Sequence, residues 1–309
     1  MTAGHSIVLL GGPDSGKTNY LVRLWRALKS RKCALVAPRS PTNIKYVESL
    51  MEFILQGEFA PHTDVSDHPS DQQLQIPMVR AGASSDDEVT ISVPDVSGEL
   101  WKGAIERGDV AKPWMDALKA SAGALLFVRV QSEANVSSLD WVNTPDWLMH
   151  LAPAVKADAD PAVAGAFNSD DDAVNEDLKV PTQVALCELL RFLDETLLRG
   201  DDGLPRVAIM ITAWDLLDEE TRVKGPEAYL EAEYPLFAGR LIDCLSLDVR
   251  CYGVSVVGGD FKDDHFKAEF FEADVDEMGF VAFDLGGMQE EADLTLPVAW
   301  VVDPLFDDE

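Results

Sequence analysis

The stretch Gly11-Gly12-Pro13-Asp14-Ser15-Gly16-Lys17-Thr18 constrains the fold more than any other feature of this chain. It fits G-x-x-x-x-G-K-[ST], and chemistry explains the spacing. Glycines let the backbone curl until several N–H groups converge on one phosphate. Gly11, Gly12, Asp14, Ser15 and Gly16 are therefore candidate phosphate-contacting residues. Lys17 places a point charge between β- and γ-phosphates, and Thr18 offers a hydroxyl to Mg²⁺. The motif needs a strand before it and a helix after it. Ser6–Leu10 is a short apolar run that ends in a Gly-Gly-Pro turn signal. Residues 17–30 carry Leu21, Val22, Leu24, Trp25 and Leu28 at helical spacing. The helix N-terminus adds its dipole to the loop. Pro13 is a departure, because it lacks an N–H and removes one possible donor.

The rest of the chain alternates buried strands with amphipathic helices. Strands are expected at Cys33–Ala37, Leu74–Val79, Val89–Val93, Ala124–Val130, Arg206–Thr212 and Val249–Ser255. Helices are expected at Asn43–Leu55, Pro113–Ala120, Val184–Leu198, and Pro226–Leu247 with a break near Pro235. Leu296–Val302 reads as a short helix with Pro in its first turn. This alternation predicts an α/β fold of three layers, the P-loop NTPase arrangement, with a mostly parallel sheet and one antiparallel edge strand.

Two further strand ends carry candidate chemistry. Val89–Val93 runs into Pro94-Asp95-Val96-Ser97-Gly98-Glu99, a D-x-x-G sequence. In P-loop NTPases an Asp at that strand end supports Mg²⁺. A Gly three residues later can give its N–H to the γ-phosphate. Arg206–Thr212 runs into Ala213-Trp214-Asp215, a T-x-x-D sequence. A carboxylate there accepts two hydrogen bonds from guanine N1 and N2, and adenine offers no matching pair. Asp215 also fits a helix N-cap after a strand. Ala213 stands where a Lys stem would flank the base, and Trp214 is a candidate apolar wall in its place. Ser255 and Val256 close the last strand.

Charge narrows the partners. The 309 residues hold 25 Lys and Arg against 55 Asp and Glu, a net charge of −30. Such a surface repels nucleic-acid backbones and anionic membranes. The acid is local. Residues 132–180 hold 10 acidic and 2 basic residues, and residues 259–309 hold 16 acidic and 2 basic. The expected organisation is a nucleotide-binding domain over 1–258 with an acidic insertion at 132–180. An acidic extension, 259–309, is expected to pack on the same domain. Charge runs of this kind are solvated surface, or faces for protein partners. Four scattered cysteines without C-x-x-C spacing, no signal-peptide pattern and no long apolar run fit a cytoplasmic protein.

In order, GGPDSGKT, DVSGE, TAWD and GVSVV resemble the G1, G3, G4 and G5 elements of Ras-like (TRAFAC-class) GTPases. The I-T-A-W-D form and the C-terminal P-x-x-W-V-V segment are similar to the bacterial double-GTPase families of multi-gene conflict and defence systems. The resemblance implies a Mg²⁺-dependent molecular switch that binds GTP and GDP, hydrolyses GTP and engages protein partners of a multi-component system. It implies that Lys17 and Thr18 meet phosphate and metal, Asp95 supports the metal and Gly98 reads the γ-phosphate. It also implies guanine recognition by Asp215, with Thr212, Ser255 and Val256 around the base. A switch Thr coordinating Mg²⁺ is expected in 57–72, with Thr63 ahead of Ser66. Glu99 replaces the water-positioning Gln common in small GTPases, which implies slow intrinsic hydrolysis aided by a partner's arginine. Arg107, Arg80 and Arg129 are internal alternatives. A pseudo-GTPase scaffold and a P-loop ATPase remain the competing readings.

Overall fold

The structure is a computed structural model of the chain and describes residues 6–41, 44–60, 74–83, 88–93, 112–132, 135, 180–199 and 203–303. Nine strands form one sheet. They are β1 (Ser6–Gly11), β2 (Leu35–Val36), β3 (Leu74–Arg80), β4 (Val89–Val93), β5 (Ser121–Arg129), β6 (Arg206–Thr212), β7 (Asp248–Ser255), β8 (Phe280–Asp284) and β9 (Met288–Glu291). Their spatial order is β2-β3-β4-β1-β5-β6-β7-β8-β9. The central five, β4-β1-β5-β6-β7, are parallel. Parallel neighbours need crossovers, and helices supply them. These are α1 (Lys17–Ser30), α2 (Ile44–Leu55), α3 (Lys112–Lys119), α4 (Thr182–Thr196), α5 (Glu219–Lys224), α6 (Pro226–Glu233), α7 (Pro235–Asp243), α8 (Asp264–Glu272) and α9 (Leu296–Val302).

Period-2 alternation in the central strands splits the core into two layers. Ile7, Leu9, Leu125, Phe127, Ala208 and Met210 face α1, α2, α8 and α9. Val8, Leu10, Leu126, Val128, Ile209 and Ile211 face α3, α4, α6 and α7. Helix α4 shows the sequence logic clearly. Leu186, Leu189, Leu190 and Leu193 recur at helical spacing and are all buried. Each contributes roughly 1.5–3 kcal/mol of burial. Both faces are covered, so the mixed α/β class and the parallel centre agree with the sequence pattern.

The flanks differ from the expectation of one antiparallel edge strand. Strands β3 and β8 are both antiparallel to their inner neighbours, and neither is an edge. Two-residue β2 lies outside β3, and β9 lies outside β8. The β8–β9 hairpin was hidden by its acid. Asp284, Glu290 and Glu291 broke the apolar pattern, although Gly286-Gly287 between the strands is a turn signal. Helix α9 begins at Leu296 with Pro297 in its first turn, as the sequence predicted. The break near Pro235 separates α6 from α7. Most of the 132–180 insertion lies outside the described residues.

The C-terminal segment is stitched to α1. Tyr20 donates to the Leu294 carbonyl at 2.9 Å. Arg23, almost wholly buried, donates to the carbonyls of Val256, Val275 and Met278 at 2.6–2.8 Å. Arg26 pairs with Asp276 at 2.5 Å. Among the described residues no helix is long and apolar enough to cross a membrane.

Candidate functional site

The C-terminal ends of β1, β5, β6 and β7 lie side by side. Gly11 pairs with Phe127, Arg129 with Thr212, and Thr212 with Val254. The chain leaves β1 toward β4 on one side and returns to β5 on the other. Ligand crevices in open α/β sheets form at such a switch point, outside the strand ends.

The loop between β1 and α1 follows the phosphate-cradle pattern. Asp14 has φ 56° and Gly16 has φ 84°. Positive φ alternating with ordinary residues turns successive N–H groups inward. Gly16 caps α1, whose first turn holds no acidic residue, so the dipole's positive end stays uncancelled. Gly16 also has no room for a side chain, since a Cβ there would lie 2.8 Å from Thr212 Oγ1. Lys17 folds back over the loop. Its Nζ donates to the Gly11 carbonyl at 2.7 Å, the Gly12 carbonyl at 2.8 Å and Ser15 Oγ at 3.0 Å. All three ammonium donors are thereby directed. Burial pushes the Lys17 ammonium down to about 7. An anion beside it would favour the charged form again.

Strand β6 delivers the second element. Thr212 is buried, and its hydroxyl donates to the Ser15 carbonyl at 2.8 Å. This bond joins the T-x-x-D sequence to the phosphate-type loop. Ala213 follows with φ 58° and opens a single 3₁₀ turn, Trp214–Leu216. Asp215 is partly buried, and that burial raises its carboxyl above the ordinary range. A hydrogen bond with Ser255 opposes the rise. Ser255 is fully buried and accepts from the Gly258 N–H at 2.9 Å. Asp215 and Ser255, from separate strand ends, are therefore in contact. The Val256 carbonyl is taken by Arg23.

Trp214 does not serve as an outward wall. It is wholly buried beneath the sheet, edge-on to Tyr229 at 5.7 Å. The side chain fills the space over Gly253 on β7, where a Cβ would fall 2.4 Å from the indole. Gly253→Ala should therefore cost about 1–3 kcal/mol by overpacking. It should also disturb the turn that carries Asp215. Chemical denaturation would read the first effect. An unchanged midpoint would mean that Trp214 is free to move.

The remaining sequence candidates divide. Thr63, Ser66, Asp95, Gly98, Glu99 and Arg107 lie outside the described residues. Strand β4 ends at Val93, two residues before Asp95, and runs parallel beside β1. Arg80 is tied to Asp303 at the end of α9. Arg129 reaches the loop, and its guanidinium is paired with the Asp14 carboxylate. Spacing could not have revealed that pair, because its partners are far apart in sequence. The same holds for Asn19, whose Oδ1 accepts from the Ala60 N–H at 2.9 Å.

The donor chemistry fits a hard dication, since Thr18 adds a hydroxyl oxygen at the start of α1 beside the loop. Among the described residues no group of three or more His, Cys, Asp or Glu side chains forms a metal cage. A Mg²⁺ ion held by one hydroxyl, one carboxylate and phosphate oxygens needs none.

The family model described as Double-GTPase 1 matches residues 8–301. No curated protein matches the chain. Among solved structures, it is similar to the G domain of the T. maritima FeoB iron transporter. That similarity has 12% identity, a TM-score of 0.27, and covers 87% of this chain and 97% of the other. The chain is also similar to the signal recognition particle receptor SRb-GTP/SRX complex from Chaetomium thermophilum. There the identity is 14% and the TM-score 0.35, over 87% of this chain and 99% of the other.

Proposed function

The chain belongs to the Double-GTPase 1 family, and from that premise we propose that it is a Mg²⁺-dependent switch that binds and hydrolyses GTP. One observation carries the reading. The loop that holds Lys17 is fastened by Thr212 to the strand end that presents Asp215. Phosphate and guanine recognition would then share one edge of the sheet. In this reading Gly11, Gly12, Asp14, Ser15, Gly16 and Lys17 receive the phosphates, largely through backbone N–H groups. Thr18 and Asp95, with Thr63 in the triphosphate state, would hold Mg²⁺, which when bound would neutralise phosphate charge. Gly98 reads the γ-phosphate, and Glu99 accepts from the attacking water. A second negative charge at Glu99 beside the γ-phosphate keeps intrinsic hydrolysis slow until a partner contributes a cation. Asp215 accepts from guanine, with Ser255 and Val256 beside the base.

The wider role follows the family resemblance. We assign the protein to a bacterial multi-protein defence or conflict system in the cytoplasm. Its switch segments and acidic surfaces would meet protein partners there. A pseudo-GTPase would keep the fold without the binding, and a P-loop ATPase would keep the binding without base selection. Titration of purified protein with labelled GTP and ATP, with and without Mg²⁺, tests the three together. GTP should bind at least about 100-fold more tightly than ATP, the discrimination available to a site that hydrogen-bonds one base. Loss of Mg²⁺ should weaken it. Absence of GTP binding would sink the switch, and equal affinities would sink the role of Asp215.

A further inference from the structure

We infer that Arg129 is a positioning residue that neutralises Asp14 inside the phosphate loop, and that this pair sets how well the loop holds a triphosphate. The inference rests on the phosphate reading of the loop. A carboxylate is an unexpected group there. The loop's backbone N–H groups and Lys17 gather positive charge, and Asp14 puts a negative charge among them. Its backbone conformation gives one reason for the residue type. Position 14 needs positive φ, which Asp tolerates better than most non-glycine residues. Glycine would satisfy the same demand without the charge.

The surrounding contacts show how the charge is handled. Asp14 Oδ1 accepts from Arg129 Nη1, and Oδ2 accepts from Ser132 Oγ at 2.9 Å. Both oxygens are engaged, and both side chains of the ion pair are mostly covered, 32% and 23% exposed. Arg129 is itself anchored. It is the last residue of β5, and its carbonyl accepts from Tyr234 Oη at 3.4 Å and Asn135 Nδ2 at 3.5 Å. Asn135 also donates to Tyr234 Oη at 2.6 Å. The guanidinium therefore approaches the loop from a fixed strand end rather than from a mobile side.

Even a partly covered ion pair near the surface contributes little to folding. This one matters because of what lies beside it. With Arg129 removed, the Asp14 carboxylate faces the phosphates uncompensated. Repulsion grows with ligand charge, so a triphosphate suffers more than a diphosphate. At protein-surface screening, a unit charge about 12 Å from a nucleotide phosphate is worth about tenfold in affinity, and a closer one more. Arg129→Ala should thus weaken GTP by about tenfold or more, and GDP by less.

The experiment is a rescue. GTP and GDP affinities are measured for the wild type, Arg129→Ala, Asp14→Gly and the double variant, at low and high salt. Adding Asp14→Gly should return Arg129→Ala to near wild-type affinity, because the offending charge has gone. High salt should shrink the Arg129→Ala defect. A double variant as weak as Arg129→Ala alone would overturn the inference, since a purely structural Arg129 is not rescued by losing its partner. Equal losses for GTP and GDP would also overturn it. Arg129→Gln, which keeps the stem and drops the charge, replaces alanine should that variant fail to fold. A wild type that binds no GTP would instead overturn the nucleotide reading and this inference with it. A wild type that binds, beside an unaffected Arg129→Ala, overturns the inference alone.

Discussion

Lys17→Ala is expected to weaken GTP binding by about 100-fold or more, the cost of truncating one partner of a buried, hydrogen-bonded charge pair. The ammonium sits over the loop, held by two carbonyls and the Ser15 hydroxyl. No other described lysine contacts that loop. The substitution leaves two loop carbonyls without their donor and removes the charge that the phosphates require. It keeps the helix, because alanine is favourable in the first turn of α1, while the freed carbonyls cost some stability. Titration with labelled GTP, paired with a denaturation curve, separates the effects. A large loss of affinity with only a small loss of stability is the expected pair of results. Unchanged affinity would show that phosphate binds elsewhere.

Asp215→Asn is expected to cost about 100-fold in GTP affinity, since two hydrogen bonds to a charged acceptor are affected. The same change should improve binding of xanthosine triphosphate. Guanine presents N–H donors at N1 and N2, which suit a carboxylate. Xanthine presents a donor at N1 and a carbonyl at C2, which suit an amide. The surroundings of Asp215 favour such recognition. Its burial raises the carboxyl, so the group gains from donors that the base would bring. Ser255 holds it from the neighbouring strand end. Competition among GTP, ATP and xanthosine triphosphate reads the switch. Loss of GTP without gain of xanthosine triphosphate would reduce Asp215 to a structural cap of its turn.

Much of this arrangement was legible before any coordinates. Pattern located β1, α1, β4, β6 and β7 to within a residue or two, through apolar runs in β1 and β6, alternation in β4 and helical spacing in α1. The phosphate-type loop was legible because its glycines and lysine act locally. Trp214 was harder. Its type fits both a base wall and a core plug, and only the bare Gly253 opposite it decides for the core. Helix α8 and strands β8 and β9, inside the acidic extension, were not foreseen for a similar reason. Their apolar residues, Phe270, Val281 and Phe283, are spread among carboxylates, so no window looked like core. The Asp14–Arg129 pair was beyond reach, since it depends on two strand ends meeting in space.

The three carbonyls around Arg23 have a consequence for how the protein can be divided. Burial and the neighbouring Arg26 lower this guanidinium only to about 10, so it stays charged at neutral pH. A buried cation of this kind is tolerated while its acceptors are present and is costly when they leave. Two of them, at Val275 and Met278, come from the most acidic part of the chain. The helix that begins at the phosphate-type loop thus has its buried cation solvated by backbone carbonyls some 250 positions away. A fragment cut after residue 258 would inherit the whole nucleotide motif set but keep only the Val256 carbonyl among the three acceptors of Arg23. The C-terminal segment, in this sense, is part of what keeps the buried cation of the loop helix solvated.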